Sequence, residues 1–194
     1  MRHSYEDQSI AMLAQPKASV KLKESRKAPR VNPLKQIQNL GLADVAQMLK
    51  LNNAHASETS YLNAQGMSAL LDGAFYSRGI DHGATALLIA LDQNAPYDNP
   101  NFNWFSQHYD SFVYIDRIIV ADDARGQGLA RGLYEDLFTR ARQAGHDRVV
   151  CEINLDPPNL ASNAFHGTMG FVTVGQAVIR NGIKKVRYFE KILA

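Results

Sequence analysis

Residues 112–154 read FVYIDRIIVADDARGQGLARGLYEDLFTRARQAGHDRVVCEIN, and this stretch decides the fold. Phe112–Val120 is a β-branched and aromatic run, which predicts a strand. Leu129, Leu133, Leu137 and Ala141 recur every four residues, with Tyr134 and Phe138 beside them, so a helix with one apolar face should end at Gly145. Arg148–Asn154 is a second strand-like run. Between the first strand and the helix lies Arg125-Gly126-Gln127-Gly128-Leu129-Ala130. A glycine-bearing loop at a helix start is an anion site, because the first backbone N–H groups lack partners and the helix dipole favours negative charge there. Glycine lets phosphate oxygens approach the backbone without meeting a Cβ. These residues therefore point to a ligand carrying a pyrophosphate.

The pattern continues on both sides. Upstream, Leu34–Gln38 suits a short strand, and Leu42, Val45, Ala46 and Leu49 suit a helix face broken at Asn52-Asn53 and Ser57–Ser60. A second helix is expected from Gln65 to Leu71, with Gly73 as its cap. Ala74–Asp81 and Ala84–Asp92 read as a hairpin turning at His82-Gly83. Gln93–Asp110 reads as a long loop, whose aromatics Tyr97, Phe102, Trp104, Phe105 and Tyr109 either cover the core or wall a pocket. Downstream, Asp156-Pro157-Pro158 makes a rigid corner before a helix from Leu160 to Met169. Phe171–Ile179 and Lys185–Ile192 form a hairpin at Asn181-Gly182. Strands and helices in this order define an α/β domain.

The chain has 194 residues, 45% of them hydrophobic and 21% charged, the balance of one globular domain. Its net charge of +2 does not argue for nucleic acid. Without an apolar run of membrane-spanning length or a secretory signal at the start, the expected location is the cytoplasm and no membrane partner is expected. One cysteine, Cys151, cannot form an internal disulfide, and the histidines show no metal-ligand spacing, so no metal is expected. Residues 1–30 are basic, with Lys17, Lys21, Lys23, Arg26, Lys27 and Arg30 against Glu24. They read as a flexible leader or an arm for acidic partners, leaving 31–194 as the folded domain.

Four readings of the glycine loop compete. The dinucleotide fingerprint matches Gly126 and Gly128, but Arg131 stands at its third glycine, and five residues separate the strand from Gly126. A Walker A loop fails, since no Gly-Lys-Ser/Thr follows. A plain turn without ligand is the third. A fourth reading absorbs the remaining residues. Arg125-Gly126-Gln127-Gly128-Leu129-Ala130 after a strand, the strand about twenty residues on, and a helix from Asn159 running to Met169-Gly170-Phe171 together resemble the GNAT superfamily of N-acetyltransferases. The resemblance is strongest over Phe112–Phe171.

That resemblance implies a mixed, mostly antiparallel sheet with splayed middle strands flanked by helices. It implies acetyl-CoA as cosubstrate, with its arm along Ile118, Ile119 and Val120, its phosphates on Arg125 and the amides of Gly126, Gln127, Gly128, Leu129 and Ala130, and Asn159 against the arm. The acceptor would be a primary amine on a small molecule, protein or peptide, and homodimers are common in the family. Ribosomal-protein acetyltransferases of the family place a glutamate and a tyrosine where this chain has Glu152 and His166. Glu152 would be the base and His166 the acid, though each also has a plain structural reading: a carboxylate bonded to a neighbouring strand, and a polar residue on a helix surface. Tyr114, Asp116 and Trp104 are the candidate acceptor contacts, with Asp116 expected on one strand face with Tyr114 and Ile118. The aromatics of 93–110 favour a small acceptor, and the basic leader a protein one. A non-catalytic acyl-CoA-binding module and an NAD-dependent oxidoreductase are the alternatives.

Overall fold

The computed structural model describes residues 37–156, 158–179 and 183–194. The leader, most of the first expected strand and the Asn181-Gly182 turn lie outside the described residues. Seven strands form one sheet: β1 (Gln38–Asn39), β2 (Tyr76–Ile80), β3 (Ala86–Asp92), β4 (Val113–Val120), β5 (Arg148–Asp156), β6 (Val172–Ile179) and β7 (Lys184–Ile192), in the spatial order β1-β2-β3-β4-β5-β7-β6. Every neighbouring pair is antiparallel except β4 and β5, which run parallel. The sheet is thus mixed and mostly antiparallel.

Strand β3 shows why the sheet is covered on both sides. Its residues Ala86–Leu91 are all buried, and they alternate between two cores. Ala86, Leu88 and Ala90 face α5 (Leu129–Gln143) and the residues that follow α6 (Leu160–Thr168). Leu87, Ile89 and Leu91 face α1 (Val45–Ala54), α3 (Ala64–Asp72) and α4 (Pro100–His108). A strand buried on both faces reads as a continuous apolar run, as this one does. The β2–β3 hairpin turns through Asp81, His82 and Gly83, at φ of +51°, +54° and +78°. Among the described residues, no helix is long and apolar enough to cross a membrane.

Three expectations need correction. Residues 93–110 are not one long loop: α4 occupies Pro100–His108, started by Asn99, whose side chain accepts a bond from Asn101 N at 2.9 Å, and by Pro100 in the first turn. A cap residue followed by proline is a helix start signal in the sequence itself. Helix α1 continues through Asn52-Asn53, and its buried residues are Met48, Leu51 and Asn52 rather than the stripe through Leu42 and Ala46. A short helix, α2 (Ala56–Thr59), fills the expected break.

Candidate active site

The site grows from a defect in the sheet. β4 and β5 pair only at Val113↔Val149 and Tyr114↔Val150, and then diverge. At the same point the β3–β4 ladder skips a residue: Ile89 faces Arg117 and Ala90 faces Ile115, leaving Asp116 as a bulge. A bulge bends its strand and raises its twist, re-aiming the side chains around it. Here it puts Asp116 and Arg117 on the same side as Tyr114, while Ile118 packs against the other core. The expected shared face of Asp116 and Ile118 is therefore corrected by the bulge.

Two cavities occupy the opening. One, of about 510 Å³, is lined by Ile118, Ile119 and Val120, by Arg125, Gly126, Gly128, Leu129 and Ala130, and by Arg131 and Phe165. The other, of about 360 Å³, is lined by Asp116, Arg117, Cys151, Glu152, Tyr97 and Tyr134, among others. Ile118, Asn159, Ser162 and His166 line both, as do Glu58 and Thr59 of α2. The first cavity can hold a coenzyme's phosphates. Gly126 and Gly128 sit at φ of +75° and +82°, and no atom lies within 4 Å of where a Cβ would stand on either. Gly128 is also the N-cap of α5, so the helix begins facing the open space above these glycines. Arg125 is 60% exposed and bound to Asp122 at 2.8 Å. Gln127 is exposed and lines neither cavity. The Asn159 side chain caps α6 by accepting from Ser162 N at 2.9 Å.

Glu152 stands on the second cavity. Val149, Cys151 and Ile153 belong to the α5 core, so strand alternation turns Glu152 the other way. Its Oε2 accepts from the Tyr114 hydroxyl at 2.8 Å and its Oε1 from Asn101 Nδ2 at 2.9 Å. Tyr188 in turn donates to Asn101 Oδ1 at 3.1 Å, which fixes the amide's orientation. Burial pushes the Glu152 carboxyl up to about 7, and the charge of Asp116 adds to this, while the Tyr114 hydrogen bond and Lys184 oppose it. A half-buried carboxylate near neutrality can accept a proton at physiological pH.

His166 is buried at 3% exposure rather than lying on a helix surface. Nε2 lies 2.8 Å from the Tyr134 hydroxyl, and Nδ1 lies 2.8 Å from the Ser162 carbonyl oxygen. Burial pushes its imidazole below the ordinary 6.5, opposed by the Ser162 carbonyl. Asp116 accepts from Tyr97 at 2.5 Å and from Arg117 Nε at 2.6 Å. Arg117 Nη1 reaches Asn52 Oδ1 on α1 at 2.6 Å. Tyr114 is fully buried and meets Glu152 rather than either cavity. Trp104 lines neither cavity: it stacks on Tyr188 at 4.3 Å and on His108 at 3.8 Å. Of the aromatics expected to wall a pocket, Tyr97 does so, and Phe102 and Phe105 are core. Asn101, Tyr134 and Arg117 escaped the sequence reading, because nothing local marks a residue whose partner is 51, 32 or 65 positions away.

Residues 101–171 match the family profile described as the acetyltransferase (GNAT) family. No curated protein is similar enough in sequence to supply a relative. Solved structures share the fold. Ard1 from Thermoplasma volcanium has a TM-score of 0.64 at 13% identity, over 81% of this chain and 97% of that one. The ribosomal-protein-alanine N-acetyltransferase from Brucella melitensis has 0.60 at 20%, over 81% and 99%. NAA60 of Arabidopsis thaliana in complex with acetyl-CoA has 0.62 at 12%, over 81% and 97%. The fold is the one these N-acetyltransferase structures share, and the family match spans the splayed strands and the glycine loop. Together they support an acyltransferase, with the GNAT match resting on residues 101–171.

Proposed function

We propose that the protein is an acetyl-CoA-dependent N-acetyltransferase that moves acetyl directly onto a primary amine, with Glu152 as base. The observation that carries this is the Glu152 carboxyl, held by Tyr114 and Asn101 and facing a cavity at the mouth of the β4–β5 gap. The residues of the larger cavity fit the coenzyme: Arg125 and the loop from Gly126 to Ala130 would hold the phosphates, and Ile118, Ile119, Val120 and Asn159 the arm. Gln127 would contribute through its backbone alone, since its side chain points to solvent. A backbone N–H near Ile118 would hold the thioester oxygen as negative charge develops on it.

An ammonium acceptor must lose a proton before it can attack. A base at about 7 lies roughly one unit below an α-amino group and about three below a lysine-type amine. That match favours a peptide or protein N-terminus over a lysine side chain. The shared fold of a ribosomal-protein-alanine N-acetyltransferase and of NAA60 lends the same support. Among the acceptor contacts, Tyr97, Asn99 and Asp116 line the cavity, and Tyr114 acts through Glu152. The transferase domain would span 31–194, and a buried free thiol at Cys151 suits a reducing cytoplasm.

The test begins with thermal shifts in acetyl-CoA, CoA and NAD. A ligand at 100 times its Kd stabilises by about 2.7 kcal/mol, or roughly 5–10 °C here. CoA release is then followed with a free peptide terminus and with an N-capped lysine peptide. The expected result is a shift with the CoA species, faster release with the free terminus, and loss of turnover in Glu152→Gln with the shift retained. Binding without turnover on any amine would make this a non-catalytic acyl-CoA module. A shift with NAD alone would overturn the assignment of the glycine loop.

A further inference from the structure

The bulge that carries Asp116 also turns Arg117 inward, and the fold uses only part of that guanidinium. Its side chain is 4% exposed and lines the 360 Å³ cavity together with Glu152. An arginine has five N–H groups to donate. Nε–H donates to Asp116 Oδ2 at 2.6 Å, and Nη1 donates to Asn52 Oδ1 at 2.6 Å. The other three, on Nη1 and Nη2, have no hydrogen-bond partner among the described residues. A buried donor left unpaired is costly, so an oxygen brought into the cavity makes bonds that the fold leaves unmade.

The guanidinium is also held still. Asn52 is fully buried, and its Nδ2 donates to Asn53 Oδ1 at 2.9 Å and to the Ser60 carbonyl at 3.0 Å, so its amide oxygen is the end turned to Arg117. Asp116 takes the Tyr97 hydroxyl on its other oxygen. Each Asp116 oxygen thus has a donor, and its charge is balanced by Arg117. What the pair turns to the cavity is N–H.

We propose that Arg117 determines acceptor choice by donating to the carbonyl oxygen beside the reacting amine, so that the acceptor is an α-amino amide, the chemistry of a peptide terminus. The inference rests on the transferase reading above. In an α-amino amide the carbonyl carbon is two bonds from the nitrogen, so one small group can present its nitrogen to Glu152 and its oxygen to Arg117 on the same cavity. In a lysine side chain the nearest carbonyl is six bonds from the nitrogen, and a simple alkylamine has none. Because Asp116 already neutralises the guanidinium, a neutral carbonyl fits it better than the carboxylate of a free amino acid, which would bring a second negative charge.

The test compares CoA release with alanine amide, alanine and isopropylamine, the last being alanine amide without its carbonyl. Rates are taken per unprotonated amine. The wild type should favour alanine amide over isopropylamine by about 10- to 100-fold in kcat/KM, the value of a hydrogen bond to a charged group, with alanine below its amide. Arg117→Lys keeps a cation against Asp116 and loses the planar fork. The double variant Asp116→Asn, Arg117→Met removes both charges together. Each should bring the ratio of alanine amide to isopropylamine at least tenfold closer to one, with the thermal shift in acetyl-CoA retained. A purely structural role for Arg117 would slow both amines alike and leave the ratio in place. A wild-type ratio near one overturns the inference whether or not the variants fold, and so does an unchanged ratio in the folded variants. Faster turnover of alanine than of its amide overturns the neutral carbonyl as the group bound. A wild type that acetylates no amine overturns the transferase reading and the inference with it, a result distinct from an active wild type that ignores the carbonyl.

Discussion

Tyr114→Phe isolates one hydrogen bond. The Tyr114 hydroxyl donates to Glu152 Oε2 at 2.8 Å and holds the carboxyl down against burial. Removing it should therefore raise the Glu152 pKa above its value of about 7. A hydrogen bond to a charged group contributes about 1.5–3 kcal/mol, and 1.36 kcal/mol is one pKa unit, so the expected rise is about 1–2 units. Asn101 remains on Oε1, and Glu152 is half-buried and open to water, so the lower end applies. A base must be ionised to work, so the acid limb of kcat/KM moves to higher pH by about one unit. Well below the limb the variant loses about tenfold, and well above it the two enzymes match. The phenylalanine ring keeps its contacts with Phe102 and Phe105, so the fold should hold. The assay is CoA release across pH 5–10. A limb that stays in place or moves down would show that Glu152 is not the titrating base.

The Glu152 carboxyl titrates near 4.5 when unfolded and near 7 when folded, so the folded state holds the extra proton between those values and loses stability as pH rises through that window. Glu152→Gln should thus stabilise the fold by up to about 3 kcal/mol at pH 8, read as a higher melting temperature, with no gain at pH 4; equal gains at both would refute the raised pKa. Gly128→Ala must hold φ of +82° with a side chain, costing about 1–2 kcal/mol, and it places a methyl in the cavity proposed for the phosphates, so the thermal shift in acetyl-CoA should shrink. Gly175→Ala brings a Cβ to 2.7 Å from Trp104 Cζ2, costing about 1–3 kcal/mol in a melt while leaving the acetyl-CoA shift intact. A neutral melt there would undo the packing role of Trp104.

What the sequence shows and hides divides along a physical line. Strand β3 and helix α5 were legible because a buried strand and a one-faced helix impose their own periodicities. The glycine loop was legible because left-handed backbone restricts which residues can stand there. Helix α4 was hidden by its aromatics, although Asn99-Pro100 announces its start. The buried face of α1 runs through Met48 and Leu51 and then through Asn52, which no hydrophobic pattern marks: Asn52 is fully buried and bonds Arg117, Ser60 and Thr59. The supports of Glu152 come from β4 and α4, and the partner of His166 from α5. No local pattern encodes such meetings, since they exist only once the sheet has brought the elements together.

The bulge at Asp116 links the fold to the chemistry. It falls two residues after the last β4–β5 pair, where a regular β4 would place Asp116 and Arg117 on opposite faces. With the bulge, both turn to the side of α1 and Tyr97, and an ion pair forms there with side chains 4% exposed. A buried ion pair is weak evidence for stability, because desolvation offsets most of its attraction. Its value here is geometric. Tyr97 and Asn52 complete the pair, so the Asp116 charge is held beside Glu152, where it raises the carboxyl's pKa. The same bulge sends Ile118 to the other face, where it lines both cavities. One extra residue in one strand thus holds Asp116 beside Glu152, the proposed base, on one face, and turns Ile118 toward the cavity proposed for the coenzyme arm on the other.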